Sequence, residues 1–476
     1  MSRLQVVLIA AGVAILQLVW LFAIAPFRGI DEFDHSYRAA AVAHGQWHVQ
    51  PTAATRGTGA WLRVPQDIVT AASAQCRALP YTVAADCVGT PSSDGMVRIA
   101  SGAGRYNPVF YALAGLPSLI LKGDAALYGM RVVSATLALL VLVAGLLSMR
   151  TWASSRWPVL AFGVALSPVL LYSTAVLAPN GVEMAAGLAA WTSLIGVIRT
   201  PNRPLNTVVA ALSASVLVTV RSLGPLWLVM IVLAVVLAEM PARQWWMSYF
   251  GRRTTWIAAG LVALASVASL WWILSMRALT VGADGSPDAN SLDRLKIVGG
   301  QIPLWLLQSV AAFPLRNEAS APTVYLVYFF ALLTVLGLGV SQMPIRVRVV
   351  TIGAIATAII IAGGITFATY NDYGGAWQGR YLLPFLVGIP LLAAAHLDGD
   401  IPEVIRNLAS MLVPAALAIA QVAAVVLAAH RQLAHDAVDP ARWIPPLPVI
   451  GIVAAFGCAA LVAGTAPWPR SDRTAA

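Results

Sequence analysis

Apolar runs of roughly 16–24 residues recur along nearly the whole chain, each near the length needed to cross the ~30 Å hydrocarbon layer of a bilayer. The pattern predicts full spans near residues 5–25, 131–149, 157–177, 181–198, 205–220, 225–240, 254–276, 322–340, 349–368, 382–396, 408–429 and 446–466. Two shorter apolar stretches, 107–121 and 303–315, are ambiguous. The expectation is an all-α polytopic membrane protein with about 12 transmembrane helices (about 11–13). Residues 1–25 hold a first membrane helix rather than a signal peptide, because no small-x-small cleavage site follows. Residues 26–106 form a polar loop containing Pro51, Pro65, Pro80 and Pro91, expected to be ordered and to carry short interfacial helices. Residues 107–400 then read as a transmembrane core, 401–466 as C-terminal membrane helices and 467–476 as a short frayed tail.

Composition agrees with this pattern. Hydrophobic residues make up 59% of the chain and charged residues 11%, too apolar for a soluble domain of 476 residues. The formal charge of +10 comes almost entirely from arginine, since Lys122 and Lys296 are the only lysines. With abundant alanine, that skew suggests a high-GC bacterial genome and carries no signal for nucleic acid. The tightest basic connections are Arg150/Arg156, Arg199/Arg203, Arg243/Arg252/Arg253 and Arg346/Arg348. If these face the cytoplasm, as the positive-inside rule favours, both termini are cytoplasmic and 107–121 is re-entrant or interfacial. The same choice gathers residues 31–35, Asn180, Arg221, the 277–321 loop and Arg380 on the outer face. Cys458 lies in an apolar run and reads as a core residue. Cys76 and Cys87 share the polar loop; either they remain thiols, or a bridge between them stabilises by about 2–3 kcal/mol in an oxidising compartment.

Charge is scarce, so Gly29-Ile-Asp-Glu-Phe-Asp-His35 stands out. Asp31, Glu32, Asp34 and His35 sit just beyond the first span, where ionisable groups mark functional sites by default. On a helix over 31–45, Asp31 and His35 are i,i+4 neighbours, as are Asp34 and Arg38, so one face presents carboxylate, imidazole and guanidinium. A carboxylate within reach of an acceptor hydroxyl can take its proton as a nucleophile forms. The simpler reading is an acid-rich helix N-terminus with a solvated Asp34–Arg38 pair. Downstream, Trp377-Gln-Gly-Arg-Tyr-Leu-Leu-Pro384 places Gln378, Arg380 and Tyr381 where a glycine-softened loop enters a membrane helix. Arg380, and Arg221 in Val220-Arg-Ser-Leu-Gly-Pro225, can grip phosphate oxygens; the duller role is snorkelling, with Trp377 and Tyr381 as aromatic belt. Tyr106 and Asn107 open Tyr106-Asn-Pro-Val-Phe-Tyr111. Asn180 sits in Ala178-Pro-Asn-Gly181, where capping competes with a polar role shared with Glu183. No HExxH, Walker A or dinucleotide glycine motif is present, which argues against a nucleotide-driven enzyme.

In order along the chain, the Asp31-Glu32…His35 cluster, the Tyr106-Asn-Pro-Val-Phe-Tyr111 entry, the Pro179-Asn180 turn, the Arg221-Ser-Leu-Gly-Pro-Leu226 entry and Gln378-Gly-Arg-Tyr-Leu-Leu-Pro384 resemble the bacterial membrane family DUF2142, which is related to the GT-C glycosyltransferases. The resemblance covers roughly residues 5–400. Two positions depart from it: Asn180 stands where Asp is frequent, and Arg221 where Lys is. The resemblance implies a GT-C-like bundle with a large first extracytoplasmic loop. It implies a plasma-membrane enzyme that moves a sugar from a polyprenyl-phosphate-linked donor to an envelope glycan, lipid or protein, with the site outside. Asp31 becomes the catalytic base, with Glu32, Asp34 and His35 beside it. Arg380, Arg221, Gln378 and Tyr381 hold the donor phosphate, and Tyr106, Asn107, Asn180 and Trp377 contact substrate. No cofactor is required; some relatives use a divalent cation near the acidic cluster. A transporter or flippase of lipid-linked saccharides, with acids coupling protons, is the main alternative, and a non-catalytic envelope-assembly scaffold the third. The absence of a convincing internal repeat weighs against the transporter.

Overall fold

The computed structural model describes residues 1–50, 59–78, 87–279, 288–315, 318–397, 401–435 and 444–466. The tail 467–476 expected to fray, and Pro51 and Pro80 of the polar loop, lie outside the described residues.

The chain opens with α1 (Arg3–Ala23), capped by Ser2 and Gln5, and turns at Pro26 into α2 (Glu32–Ala43). The loop that follows is not purely helical. β1 (Ala60–Pro65), β2 (Thr90–Pro91) and β3 (Met96–Ser101) form a small antiparallel sheet in the order β1-β3-β2, with α3 (Gln66–Arg77) between its first two strands. In β1, Ala60, Leu62 and Val64 point inward while Trp61 and Arg63 point out, the period-2 pattern of a half-buried strand. The all-α expectation is therefore corrected to mostly helical. Cys76, at the end of α3, is disulfide-bonded to Cys87 with a Cα–Cα distance of 5.6 Å.

The membrane portion follows: α4 (Pro108–Ala114), α5 (Gly123–Trp152), α6 (Trp157–Ala165), α7 (Pro168–Ala175), α8 (Pro179–Arg199), α9 (Pro204–Val220), α10 (Gly224–Glu239), α11 (Arg243–Phe250), α12 (Arg253–Ser275), α13 (Ser291–Gln308), α14 (Pro322–Gln342), α15 (Ile345–Tyr373), α16 (Leu383–Leu386), α17 (Ile389–Ala394), α18 (Glu403–His435) and α19 (Leu447–Thr465). Among the described residues eight helices are long and apolar enough to cross a membrane, or nine if α6 and α7, bent by 61°, make one broken span. This is a multi-pass membrane protein, with fewer full-length spans than the 12 expected. The difference has a geometric cause. At about 1.5 Å rise per residue a helix needs about 20 residues to cover 30 Å. α9 and α10 have 17 and 16 residues. The 382–396 run is broken into a 3-10 turn and the short helices α16 and α17, which carry Pro384 and Pro390 in their first turns. The ambiguous stretch 107–121 is α4 plus a 3-10 turn over Leu116–Leu119, too short to span, and 303–315 begins inside α13 and ends irregularly.

The core forms around α8, whose apolar stretch is 89% buried and which packs on α5, α9, α10 and α16; α12 is only 17% buried and presents its apolar side chains to the surroundings. α1 lies against α19 so closely that a Cβ on Gly12 would meet the Gly457 carbonyl oxygen at 2.7 Å, the small-residue contact typical of membrane helices.

The helix ends sort into two groups. At one end Arg199 pairs with Glu239 and donates to the Ala395 carbonyl, Arg346 donates to the Ala238 carbonyl, and Arg252 reaches Pro201 and Asn202. The opposite ends of α8, α9, α10 and α15 carry Asn180, Arg221 and the glycine-rich 374–379 loop, and α2 lies among them.

Candidate functional site

The turn between α1 and α2 is held from three directions. Arg131, two turns into α5 and fully buried, donates to the carbonyl oxygens of Leu21 and Ile24 at 2.8 Å and of Ala25 at 3.0 Å. It also donates to both oxygens of Glu32, from Nε at 2.7 Å and Nη2 at 2.5 Å. Glu32 further accepts from the amides of Gly29 and Leu177, at 3.1 and 2.9 Å. Tyr172 accepts from the Ile30 amide and donates to the Pro314 carbonyl, both at 3.0 Å. Gly29 is required sterically, because a Cβ there would sit 2.9 Å from the Glu32 carboxylate.

This clamp forces Asp31 into the left-handed region at φ 54°, a conformation Asp tolerates better than most residues. The backbone therefore turns the Asp31 carboxylate away from its helix neighbours. It lies 3.7 Å from Nη2 of Arg380, with the Asp31 side chain 41% exposed and that of Arg380 7% exposed.

The other members of the acidic cluster do not join it. Glu32 is a fully bonded structural carboxylate. Asp34 is buried, accepts from the Gly102 amide at 2.8 Å and, through its carbonyl, from Ser101 at 2.9 Å, fastening α2 to the end of β3. Arg38 donates to the carbonyls of Gln46, Trp47 and Tyr106, so the expected solvated Asp34–Arg38 pair is absent and both side chains are buried. His35 shares a 2.7 Å hydrogen bond with the Tyr111 hydroxyl and lies edge-on to Tyr106. Burial, reinforced by the nearby Arg221 and Arg380 charges, lowers its pKa to about 3, so it is neutral at physiological pH. Burial likewise raises the pKa of Tyr106 and Tyr111. The i,i+4 face expected from the sequence is dispersed into separate contacts.

Beside the Asp31–Arg380 pair lies a cavity of about 240 Å³. Its lining includes Arg105, Tyr106, Glu183, Arg221, Trp377 and Tyr381 together with the apolar Leu223, Trp227, Leu279 and Ile365. Arg221, at the break between α9 and α10, stands 4.6 Å above the Tyr381 ring and 5.9 Å from the Tyr106 ring, and pairs with Glu183 at 3.4 Å. The Arg380 guanidinium lies 5.5 Å from the same Tyr381 ring. Gly379 lets this strand of chain pass: its amide donates to Gln308 at 2.8 Å, and a Cβ there would be 1.8 Å from the Trp305 carbonyl oxygen.

Several buried polar atoms here have no hydrogen-bond partner: Nε of Arg380, Nε1 of Trp377, Oε1 of Gln378 and Nδ2 of Asn180. Such atoms are costly unless something polar meets them. Asn180 does not cap α8, whose cap residue is Ala178, so the capping role is set aside. Asn107 does cap α4, accepting from the Val109 amide at 3.1 Å, which accounts for it without a substrate. Among the described residues no three His, Cys, Asp or Glu side chains converge to hold a metal, and Glu32 and Asp34 are already engaged; the acidic cluster does not fit a divalent cation.

A family model described as "Predicted membrane protein (DUF2142)" matches residues 15–389. The chain belongs to the DUF2142 family. The DUF2142 match includes α2, the α8 turn, Arg221 and the 374–381 loop, and so every residue named at the cavity; α18 and α19 lie beyond it. No curated protein and no solved structure matches the chain.

Sequence reasoning missed Arg131, placed at the edge of a span, left Tyr111 without an assigned role, and raised Glu183 only as a second polar site. Arg131 had a usable signal: a charge within an apolar run has to find a partner, and Glu32 is the buried acid that meets it.

Proposed function

We propose that this protein is a membrane glycosyltransferase that uses a polyprenyl-phosphate-linked sugar. The observation that carries the reading is the half-exposed Asp31 carboxylate beside the buried Arg380, at a cavity lined by a second arginine, aromatic rings and apolar side chains. Asp31 is the acid of the cluster left open to a substrate. A lipid-borne donor needs apolar surface for its chain and fixed cations for its phosphate, and Arg221 and Arg380 supply the cations in a site shielded from water. The orphaned atoms of Trp377, Gln378, Arg380 and Asn180 are suited to sugar hydroxyls and phosphate oxygens.

In this reading the acceptor hydroxyl oxygen attacks the anomeric carbon as the bond from that carbon to the phosphate oxygen breaks. Asp31 takes the hydroxyl proton, the polyprenyl phosphate departs with its charge met by the two arginines, and the anomeric configuration inverts. The Cys76–Cys87 disulfide in the same loop system supports an oxidising, outer face of a bacterial plasma membrane, with the arginine-rich end of the bundle in the cytoplasm. Envelope glycans, lipids or proteins are the acceptors reachable there. A GT-C relationship is part of the same proposal.

The test is transfer of labelled sugar from a panel of polyprenyl-phosphate donors to membrane-extracted acceptors, with purified wild type and Asp31→Asn side by side. Transfer by wild type alone supports the reading. Equal turnover by a folded Asp31→Asn protein rejects Asp31 as the base. No transfer from any donor by folded wild type shifts the reading to a lipid-linked saccharide transporter, for which flipping is the assay.

A further inference from the structure

We infer that α11 and the arginines beside it form a binding surface for anionic phospholipid headgroups at the arginine-rich end of the bundle. The inference concerns the lipid around the protein and stands apart from the donor reading.

No residue of α11 is buried, although four of its eight residues are aromatic. An isolated helix this short is unstable in water, so contacts from outside must hold it. Its C-terminal carbonyls supply part of the answer. Thr255 donates to the Tyr249 carbonyl at 2.7 Å and Trp256 to the Phe250 carbonyl at 2.8 Å, which fixes α11 on the start of α12. Within α11, Trp245 stacks on Tyr249 and Trp246 on Phe250. Arg243, Trp246, Met247 and Phe250 follow the i, i+3, i+4, i+7 spacing of one helix face, and all four are exposed. Trp256, 62% exposed, meets the Phe250 ring at 5.8 Å and continues the apolar surface. A short helix pinned at one end, with an aromatic face open to its surroundings, suits the boundary between headgroups and acyl chains.

Charge selects the headgroup. Between residues 200 and 280 Glu239 is the only acid, and it pairs with Arg199. Arg252 commits its guanidinium to Pro201 and Asn202, which ties the turn between α8 and α9 to the start of α12. Arg203 and Arg253 each adjoin one end of that tie. Together with Arg243 they are exposed, and among the described residues none of the three pairs with a carboxylate. Guanidinium groups beside a lipid-facing aromatic surface match a phosphodiester that sits above acyl chains. Each arginine near an anionic membrane surface adds about fivefold to affinity. A zwitterionic headgroup carries its own cation and gains less.

The experiment is native mass spectrometry of the full-length protein in detergent, titrated with phosphatidylglycerol or with phosphatidylcholine of identical acyl chains. Thermal melting establishes that each variant is folded. Wild type is expected to bind phosphatidylglycerol about tenfold or more tightly than phosphatidylcholine. The triple variant Arg203→Gln, Arg243→Gln, Arg253→Gln should bring the two lipids to within about threefold. Arg77→Gln with Arg98→Gln, which removes exposed charge from the polar loop, should leave the preference as in wild type. Trp246→Ser with Phe250→Ser should weaken both lipids and preserve their ratio. Acyl-free glycerophosphoglycerol should not displace phosphatidylglycerol. Parity of the two lipids on wild type, or an unchanged ratio in the folded triple variant, overturns the inference. Displacement by the acyl-free headgroup at lipid-like concentrations also overturns it, in favour of a soluble anion. If the triple variant does not fold, Arg243→Gln alone decides, with a several-fold loss of preference expected and an unchanged ratio overturning the inference.

Discussion

Arg131 and Glu32 form a two-pronged, fully buried ion pair, at 2.7 and 2.5 Å, between the third turn of α5 and the first residue of α2. Their bond does more than join two helices. The same guanidinium holds three carbonyls at the end of α1, so the pair sets the exit angle of the chain and, one residue earlier, the left-handed conformation of Asp31. Glu32 is thus necessary to the site without facing it.

Removing Arg131 leaves a buried carboxylate and three carbonyls without their donor. Arg131→Met is expected to destabilise by about 3–5 kcal/mol, the usual cost of breaking a buried pair. Glu32→Gln should also lower the melting temperature, whereas Asp31→Asn, at a half-exposed position, should change stability by no more than about 0.5 kcal/mol. Melting of the three purified variants in detergent checks this. A stable Glu32→Gln protein that had lost only activity would contradict the structural role.

His35 links stability to acid. Its folded pKa, about 3, lies below the ordinary histidine value of 6.5, mainly through burial and secondarily through Arg221 and Arg380. Between those values the unfolded chain binds a proton that the folded protein does not. Stability contributed by neutral His35 is therefore present above pH 6.5 and falls as pH drops toward 3, at up to about 1.4 kcal/mol per pH unit. His35→Gln should flatten that slope in melts taken from pH 7 to pH 4. It should not shift any activity pKa between pH 5 and 8, because His35 does not titrate there.

Gly379 admits no side chain, whereas Gly353 has open space around it. Gly379→Ala is expected to displace the neighbouring Arg380 and weaken prenyl-phosphate binding by about tenfold or more, the loss of a charge-assisted contact. Gly353→Ala, in the middle of α15, should bind as wild type does and gain slight helix stability. Equal affinities for the two variants would show that the close passage at Trp305 does not position Arg380.

Arg380→Lys tests the fork of the guanidinium directly. Lysine keeps the charge but cannot make two parallel bonds, so donor binding should fall by about tenfold while melting stays near wild type. Unchanged affinity would reduce Arg380 to a point charge.

Reduction should loosen the polar loop. Breaking the Cys76–Cys87 bond, by reductant or Cys76→Ser, is expected to cost about 2–3 kcal/mol. Protease nicking near residues 59–101 under reducing and oxidising conditions, with a maleimide mass shift to count thiols, measures it.

The sequence alone determined the class. Long apolar runs with few charges have no stable home except a bilayer, and that argument needs only composition and length. It also singled out the candidate site: Asp31, Arg221, Trp377, Arg380 and Tyr381, from three distant stretches of chain, stood out because charges and aromatics at the ends of apolar runs demand explanation. Local pattern also contained the β1 alternation and the 16- and 17-residue lengths of α10 and α9, and these were readable but outweighed by the membrane signal. Only tertiary structure decided which acid of residues 31–34 remains open. Helical spacing predicted a shared face for Asp31 and His35, but the carbonyls at the end of α1 and the guanidinium of Arg131, about a hundred residues downstream, impose a left-handed turn that spacing cannot encode. The same holds for Glu183 and Asn180. Whether a polar group inside a helix caps, pairs or stands unsatisfied depends on what a different segment brings within 3–4 Å of it, and long-range packing alone sets that.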